Sequence, residues 1–441
     1  MPGHNNIDYA GATDVGIRRN FNQDSFTILT AKDAENWFTR GHIFLVADGM
    51  GAHNAGELAS KLAADSIPHL YSKLAKQEEP EAALRRAFLE TNSNIHTRGQ
   101  QNEGFEGMGT TSTALVLRPE GAWISHVGDS RVYRIRDACI EQLSFDHSLL
   151  WEMAKRQNCS PDELPGIPTN VIVRSLGPEP LVQVDVEGPH SVSPGDTFLL
   201  CSDGLSGLVA EAEIGVIASI LPPQEACDLL IALANLHGGP DNITAVIVRI
   251  EESEDSSDSI DTSSWADIRI NPKSSWADQI FFPLALTTAG IGLAVVAILF
   301  SLLRWSFSFS IFLLAVVAVV GGLGGLGYQL FTQRSKSGFG LSGGSPGVYR
   351  SIPCPINGEL IKKLQDDQEV LRNRLKEGNV ETEWNKFEVQ QERIKECLRE
   401  EDLEGAFVGV CLALRILATA WRKSLTKTES FQPVFDRPSN R

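Results

Sequence analysis

Residues 8–250 predict an α+β fold, with antiparallel sheets and helices segregated to their faces. Two observations carry this. Short apolar runs rich in β-branched residues recur, each bounded by Gly, Asp or Pro, as buried strands are. The helical stretches between them do not alternate one for one with those runs, as parallel βαβ units would require.

In chain order, the strands expected are 43–47, 113–117, 122–127, 132–135, 198–201 and 243–250. Residues 54–74 form an amphipathic pattern interrupted by Pro68, where a kink is expected. The stretch 80–99 opens on Pro80, suited to a first helical position because the missing N–H would have no partner there. Segments 147–157 and 223–237 are helical by the same period.

The composition then changes. Residues 251–279 are acidic and serine-rich with few apolar side chains, the composition of a solvated, disordered linker. Ser-Ser-Trp-Ala-Asp occurs twice there, at 263–267 and 274–278, and no mechanism attaches to the repeat. Two uncharged apolar stretches follow, 280–303 and 307–331, each reaching the roughly 20 residues needed to cross a bilayer. Only Arg304, Trp305 and Ser306 separate them, so 280–331 reads as a transmembrane helical hairpin. Gly321, Gly322, Gly324, Gly325 and Gly327 would let two helix backbones approach closely. Arg269 and Lys273 before the hairpin, and Arg334 and Lys336 after it, put both flanks in the cytoplasm, as a multi-pass protein of the cell membrane.

A Gly/Ser/Pro linker is expected over 332–358 and a helical region over 359–427, followed by a disordered tail, 428–441. In the first helix Leu360, Leu364, Leu371 and Leu375 share a face. A second covers 381–400, and a third, 403–427, buries Phe407, Val410, Cys411, Leu414, Leu417 and Trp421. The third is apolar nearly all round, so a membrane segment at 406–421 competes with a core helix, and Arg415 favours the core. These helices suit a protein partner or self-association. The chemistry is expected to survive truncation near residue 255.

Charge and cysteine content exclude some classes. With 56 Asp and Glu against 39 Lys and Arg, the net charge is −17, which argues against nucleic-acid binding. The seven Cys show no zinc-like spacing and read as reduced thiols in a reducing compartment. Met1 to Tyr9 is polar, and no secretory signal is visible there.

The chemistry lies in carboxylates at strand ends. Asp48 follows the run 43–47, Asp129 follows 122–127, and Asp203 follows 198–201. Asp241 precedes 243–250, and Asp24 lies in the polar run 19–25. A carboxylate at the mouth of a buried strand is costly unless it is paired or binds a cation. Any one Asp-Gly is most simply a turn, but several at one rim would make an oxygen-only site suited to Mg²⁺ or Mn²⁺.

These residues stand in a recognisable order. Arg19-Asn20-Phe21-Asn22-Gln23-Asp24-Ser25 is followed by Val46-Ala47-Asp48-Gly49-Met50-Gly51 and Gly107-Met108-Gly109-Thr110-Thr111. Then come Val127-Gly128-Asp129-Ser130-Arg131, Asp146-His147-Ser148, Cys201-Ser202-Asp203-Gly204-Leu205 and Gly239-Pro240-Asp241-Asn242-Ile243-Thr244. In this, residues 8–250 resemble the metal-dependent protein phosphatases (PPM, type 2C), most of all the bacterial members. The resemblance implies a central β-sandwich of two antiparallel sheets flanked by helices. It implies two Mn²⁺ or Mg²⁺ ions, bridged by Asp48, with the Gly49 carbonyl, Asp203 and Asp241 as further ligands. Asp24 would hold water in the outer shell, and Asp129 with Asp203 would form a weaker third-metal site. Arg19 would hold the substrate phosphate, and residues 147–182, with His147 and Arg174, would form a flap that contacts substrate. A metal-activated hydroxide would then attack phosphorus directly.

Met50 stands where eukaryotic members often carry His, so no general acid is evident. The function implied is a membrane-anchored serine/threonine phosphatase that acts on phosphorylated proteins and opposes Ser/Thr kinases. The alternatives are a PPM-like sensor or scaffold with little turnover, and a phosphatase of a partner-switching, sigma-regulatory pathway.

Overall fold

A computed structural model describes residues 6–51, 55–101, 103–251 and 347–428. The acidic linker after residue 251, the hairpin at 280–331 and the tail after residue 428 fall outside these residues, so the expectations for them stand as expectations.

Two antiparallel sheets form the centre. The first is ordered β1 (Ile7–Asp14), β11 (Ile243–Ile250), β10 (Thr197–Cys201), β7 (Arg131–Arg136), β8 (Cys139–Gln142) and β12 (Arg350–Pro353). The second is ordered β2 (Asp24–Leu29), β3 (His42–Met50), β5 (Ser112–Arg118), β6 (Gly121–Val127) and β9 (Asp185–His190), with β4 (Gly109–Thr110) paired to the end of β3.

Each central strand is buried on both faces, which is why it reads as a continuous apolar run rather than an alternating one. The alternation is nevertheless present in three dimensions. Phe44 and Val46 of β3, Phe198 and Leu200 of β10, and Val246 and Val248 of β11 meet between the sheets. Ile43, Leu45 and Ala47 turn outward onto α2 (Ala55–Leu74) and α3 (Pro80–Gln100). Leu199, Cys201, Ala245 and Ile247 turn the other way, onto α6 (Glu211–Ile220) and α7 (Pro223–Leu236). Pro80 opens α3 and Pro68 lies inside α2, as the sequence suggested.

The smaller helices are α1 (Ala34–Thr39), α4 (Leu149–Gln157) and α5 (Asp203–Ser206). Ser148 caps α4 by accepting from the Trp151 amide.

The C-terminal region corrects one expectation. The stretch 332–358 is not linker throughout, because Arg350–Pro353 forms β12 and pairs with β8 at the sheet edge. Its alternation of half-buried and exposed residues is too short to stand out as a strand from sequence. Three helices follow: α8 (Gly358–Glu377), α9 (Trp384–Arg399) and α10 (Leu403–Thr428). Ile361, Leu364, Leu371 and Leu375 of α8 and Phe407, Val410, Leu414 and Leu417 of α10 join the same apolar cluster as α6 and α7. Residues 6–251 and 347–428 therefore belong to one compact unit. Among the described residues α10 is the one helix long and apolar enough to cross a membrane, over Leu403–Ser424. Half of that stretch is buried, and Arg415 pairs with Glu225 of α7 at 2.5 Å, so it packs as a core helix.

Candidate active site

The acidic rim follows from strand parity. Phe44 and Val46 face the inter-sheet core, so Asp48, two residues on, faces its open end. Asp24 stands directly opposite Asp48 in the β2–β3 register. On β11, Thr244 shares the parity of Val246 and Val248 and also reaches this end. Asp203 follows β10 as the first residue of α5, and Asp129 follows β6.

Asp24 is held from below. Its Oδ2 accepts from the Ser202 and Thr244 hydroxyls, each at 2.7 Å. Asn242 ties down the approach loop: its amide donates to the Val15 and Phe21 carbonyls, and its Oδ1 accepts from the Gln23 amide at 2.8 Å. Gly16, at φ +80°, packs there against the Asp241 backbone, and a Cβ would sit 2.1 Å from the Asp241 carbonyl oxygen. Across the site, Thr111 donates its amide to the Asp48 carbonyl at 2.8 Å, and its Oγ1 accepts from the Asp48 amide.

The electrostatics are those of crowded carboxylates. Burial, against the help of the Thr244 and Ser202 bonds, lifts Asp24 to about 7. Burial and then the charge of Asp203 lift Asp129 to about 8. Asp48 rises well above the ordinary carboxylate range through burial and the charges of Asp24, Asp203, Asp129 and Asp241. Asp203 rises through burial and Asp241, although a hydrogen bond to Asp48 acts against this. Two carboxyls in such contact must share a proton or a cation.

Asp24 Oδ1, Asp129 Oδ1 and Asp203 Oδ1 are buried without a hydrogen-bond partner. Orphaned anionic oxygens are expensive in the interior, and hard divalent cations are the ligands that satisfy them. Among the described residues no three His, Cys, Asp or Glu groups close a cage by themselves. The donor set nonetheless fits the expected ions.

Arg19 is half-exposed at the mouth, with Nη2 donating to Asp241 Oδ2 at 2.8 Å. Two expected residues are not brought into the rim. His147 is fully buried, accepting from the Gly128 amide at Nδ1 and facing Asp185 Oδ2 at 3.0 Å through Nε2. Arg174 pairs with Asp185 at 2.9 Å. Both belong to a cluster centred on Asp185.

Comparison with known proteins accords with this geometry. A family profile described as protein phosphatase 2C matches residues 17–228. The serine/threonine phosphatase stp of Listeria monocytogenes is 36% identical over 242 residues, which are 54% of this chain and 93% of that protein. The chain belongs to the protein phosphatase 2C family. Protein phosphatase PhpP of Streptococcus pneumoniae is 34% identical over 248 residues, 55% of this chain and 97% of that one. The solved serine/threonine phosphatase of S. agalactiae superposes with a TM-score of 0.50 at 30% identity, covering 56% of this chain and all of its own.

As a phosphatase of this family the chain is a hydrolase of phosphorylated proteins. Ser202, Thr244 and Asn242 were present in the sequence motifs but carried no assigned role. The signal that could have found Thr244 is its parity with the apolar inner face of β11.

Proposed function

We propose that this chain is a divalent-metal-dependent phosphoserine/phosphothreonine phosphatase anchored in a membrane through residues 280–331. The observation that carries the metal reading is the convergence of three orphaned, buried carboxylate oxygens on one rim. Asp48, the Gly49 carbonyl, Asp203 and Asp241 would hold two Mn²⁺ or Mg²⁺ ions, Asp24 would serve their outer shell, and Asp129 with Asp203 would serve a third. Ions bound there supply Lewis-acid polarisation of a phosphoryl oxygen and acidify water.

The chain's own residues do the rest. Arg19 is free to swing from its exposed pairing with Asp241 and donate two parallel hydrogen bonds to phosphoryl oxygens. An exposed pair of this kind is worth no more than about 1 kcal/mol, so exchanging it for a phosphate costs little. Asn242, Ser202 and Thr244 fix the loop and carboxylate that define where the phosphoryl group sits. No Cys approaches the rim as a nucleophile: Cys201 is buried, and burial pushes its thiol up to about 12.

The membrane reading has support from chain topology. The chain leaves the compact unit near residue 251 and rejoins it by residue 347. Any crossing made between these points must be even in number, as a two-helix hairpin is. Fractionation of the full chain beside a 280–331 deletion tests this. The full chain is expected in the membrane pellet and the deletion in the supernatant; a full chain in the supernatant contradicts the anchor. Calorimetric titration of the full chain with Mn²⁺ tests the metal reading, with loss of binding expected in Asp203→Asn.

A further inference from the structure

Behind the rim, a buried charge network is left unbalanced unless a residue from the far end of the chain is counted. Arg131, at the start of β7, pairs with two buried carboxylates, Asp146 at 2.7 Å and Glu211 at 3.0 Å. One guanidinium between two buried carboxylates leaves one negative charge uncompensated, which is costly in a low-dielectric setting. The second guanidinium belongs to Arg350 of β12, whose Nε lies 3.2 Å from Glu211 Oε2. Two carboxylates and two guanidiniums then close the account. Arg350 also reaches Asp162 through Nη2 at 2.6 Å.

Asp162 lies in a short turn within the excursion that runs from β8 to β9. That excursion begins at Ser148, which bridges Ile172, and ends where Leu176 bridges Thr110. Thr110 in turn donates its hydroxyl to the Asp48 carbonyl at 2.8 Å. The neighbouring Tyr349 grips the same region. Its amide donates to the Gln142 carbonyl, and the Gln142 side chain donates to Asp146 at 2.7 Å. Its ring lies edge-on to Phe145 at 5.6 Å, and Phe145 lies edge-on to Trp151 of α4 at 5.3 Å. The Asp162 contact alone is an exposed pair of small worth. The buried contact to Glu211 and the aromatic stack are what hold.

We propose that Tyr349 and Arg350 are positioning residues of the phosphatase. They brace the excursion 149–163 and the Glu211–Arg131–Asp146 network from a strand that lies beyond the predicted membrane hairpin. The fit of a protein substrate at the rim then depends on a segment outside the family-matched residues 17–228. The proposal rests on the phosphatase reading for its kinetic consequence, but not for its structural one.

The experiment uses the purified full chain with Arg350→Met, Arg350→Lys and Tyr349→Leu, the last removing the ring from Phe145 and expected to act as Arg350→Met does. It reads amide hydrogen exchange, and kinetics on p-nitrophenyl phosphate and on a phosphothreonine peptide. In Arg350→Met, exchange over 149–163 is expected to rise about tenfold with the rest of the chain unchanged. Peptide KM should rise roughly fivefold while kcat for p-nitrophenyl phosphate stays within about twofold, since only the larger substrate feels the excursion. Arg350→Lys, a point charge able to serve one carboxylate, should recover part of both effects. Unchanged exchange over 149–163 overturns the proposal. So does increased exchange with an unchanged peptide KM, and so does a loss of protection across the whole chain with both substrates affected alike. A parent chain inactive on both substrates would instead remove the phosphatase reading, and the exchange data would still decide the brace.

Discussion

Asp24 sits opposite Asp48 with one oxygen bound by two hydroxyls and the other by none. Thr244→Val removes one of those donors at nearly constant volume. It should destabilise the fold by about 1–3 kcal/mol, because a buried carboxylate oxygen loses one of its two donors, and urea unfolding would measure this. The raised carboxylates also fix the sign of a pH effect. Asp24 moves from 3.8 to about 7 on folding, so the folded state binds more protons than the unfolded one between those values. Its contribution to stability is complete below pH 3.8 and is lost as pH rises through 7. In EDTA, thermal unfolding should therefore occur at lower temperature at pH 8 than at pH 5. Added Mn²⁺ should stabilise more at pH 8 than at pH 5, where more of the rim carboxyls carry a proton that the ion must displace. The carboxylates themselves were legible because the motifs that carry them stand in the order of the metal-dependent phosphatases; one Asp after an apolar run would by itself read as a turn. Ser202, Thr244 and Asn242 were not, because their roles depend on three strands distant in sequence meeting at one rim. The burial of His147 was not legible either, because a motif position does not reveal it: its ring contacts Gly128 and Asp185.

At the scale of elements, the join between β3 and α2 decides whether Asp48 is presented at all. A Cβ on Gly49 would lie 2.1 Å from the Gly56 carbonyl oxygen and 2.6 Å from that of Gln23. Both are backbone atoms, so no rotamer relieves the clash. Gly49→Ala should therefore displace the end of β3, lowering both Mn²⁺ affinity and unfolding temperature, which calorimetry of both kinds would detect. The central strands were legible because burial on both faces makes them apolar runs. The edge strands β1, β9 and β12, and the four-residue β8 beside β12, were not, since each has a face in contact with solvent or with a polar neighbour. β2 was not expected at all, for another reason: it opens on Asp24, a residue that strand propensity disfavours and that the site requires.

For the whole molecule, the C-terminal helices extend the catalytic fold rather than standing beside it. The periodicity of 358–377 and 403–428 was legible, and so was the buried face of the latter. Its partner was not, because an apolar stripe does not name the surface that covers it. Phe407 is fully buried where α10 meets the cluster shared with α6 and α7. Phe407→Ala should cost about 3–5 kcal/mol, measured by urea unfolding of the full chain. A chain ended near residue 255 keeps every rim carboxylate, and the relatives match over 242 and 248 residues, just under that length. It loses the cover on α6 and α7, so the chemistry should persist at reduced stability.

The central claim is that the carboxylate rim hydrolyses phosphorylated protein through bound divalent cations. The measurement that tests it most directly is phosphate release from a phosphothreonine peptide by the full chain, with Mn²⁺, with EDTA, and with Asp48→Asn. The account predicts Mn²⁺-dependent turnover abolished by EDTA and reduced about a thousandfold in Asp48→Asn, equivalent to about 4 kcal/mol of transition-state stabilisation. Turnover that persists in EDTA, or an Asp48→Asn chain as active as the parent, would contradict it.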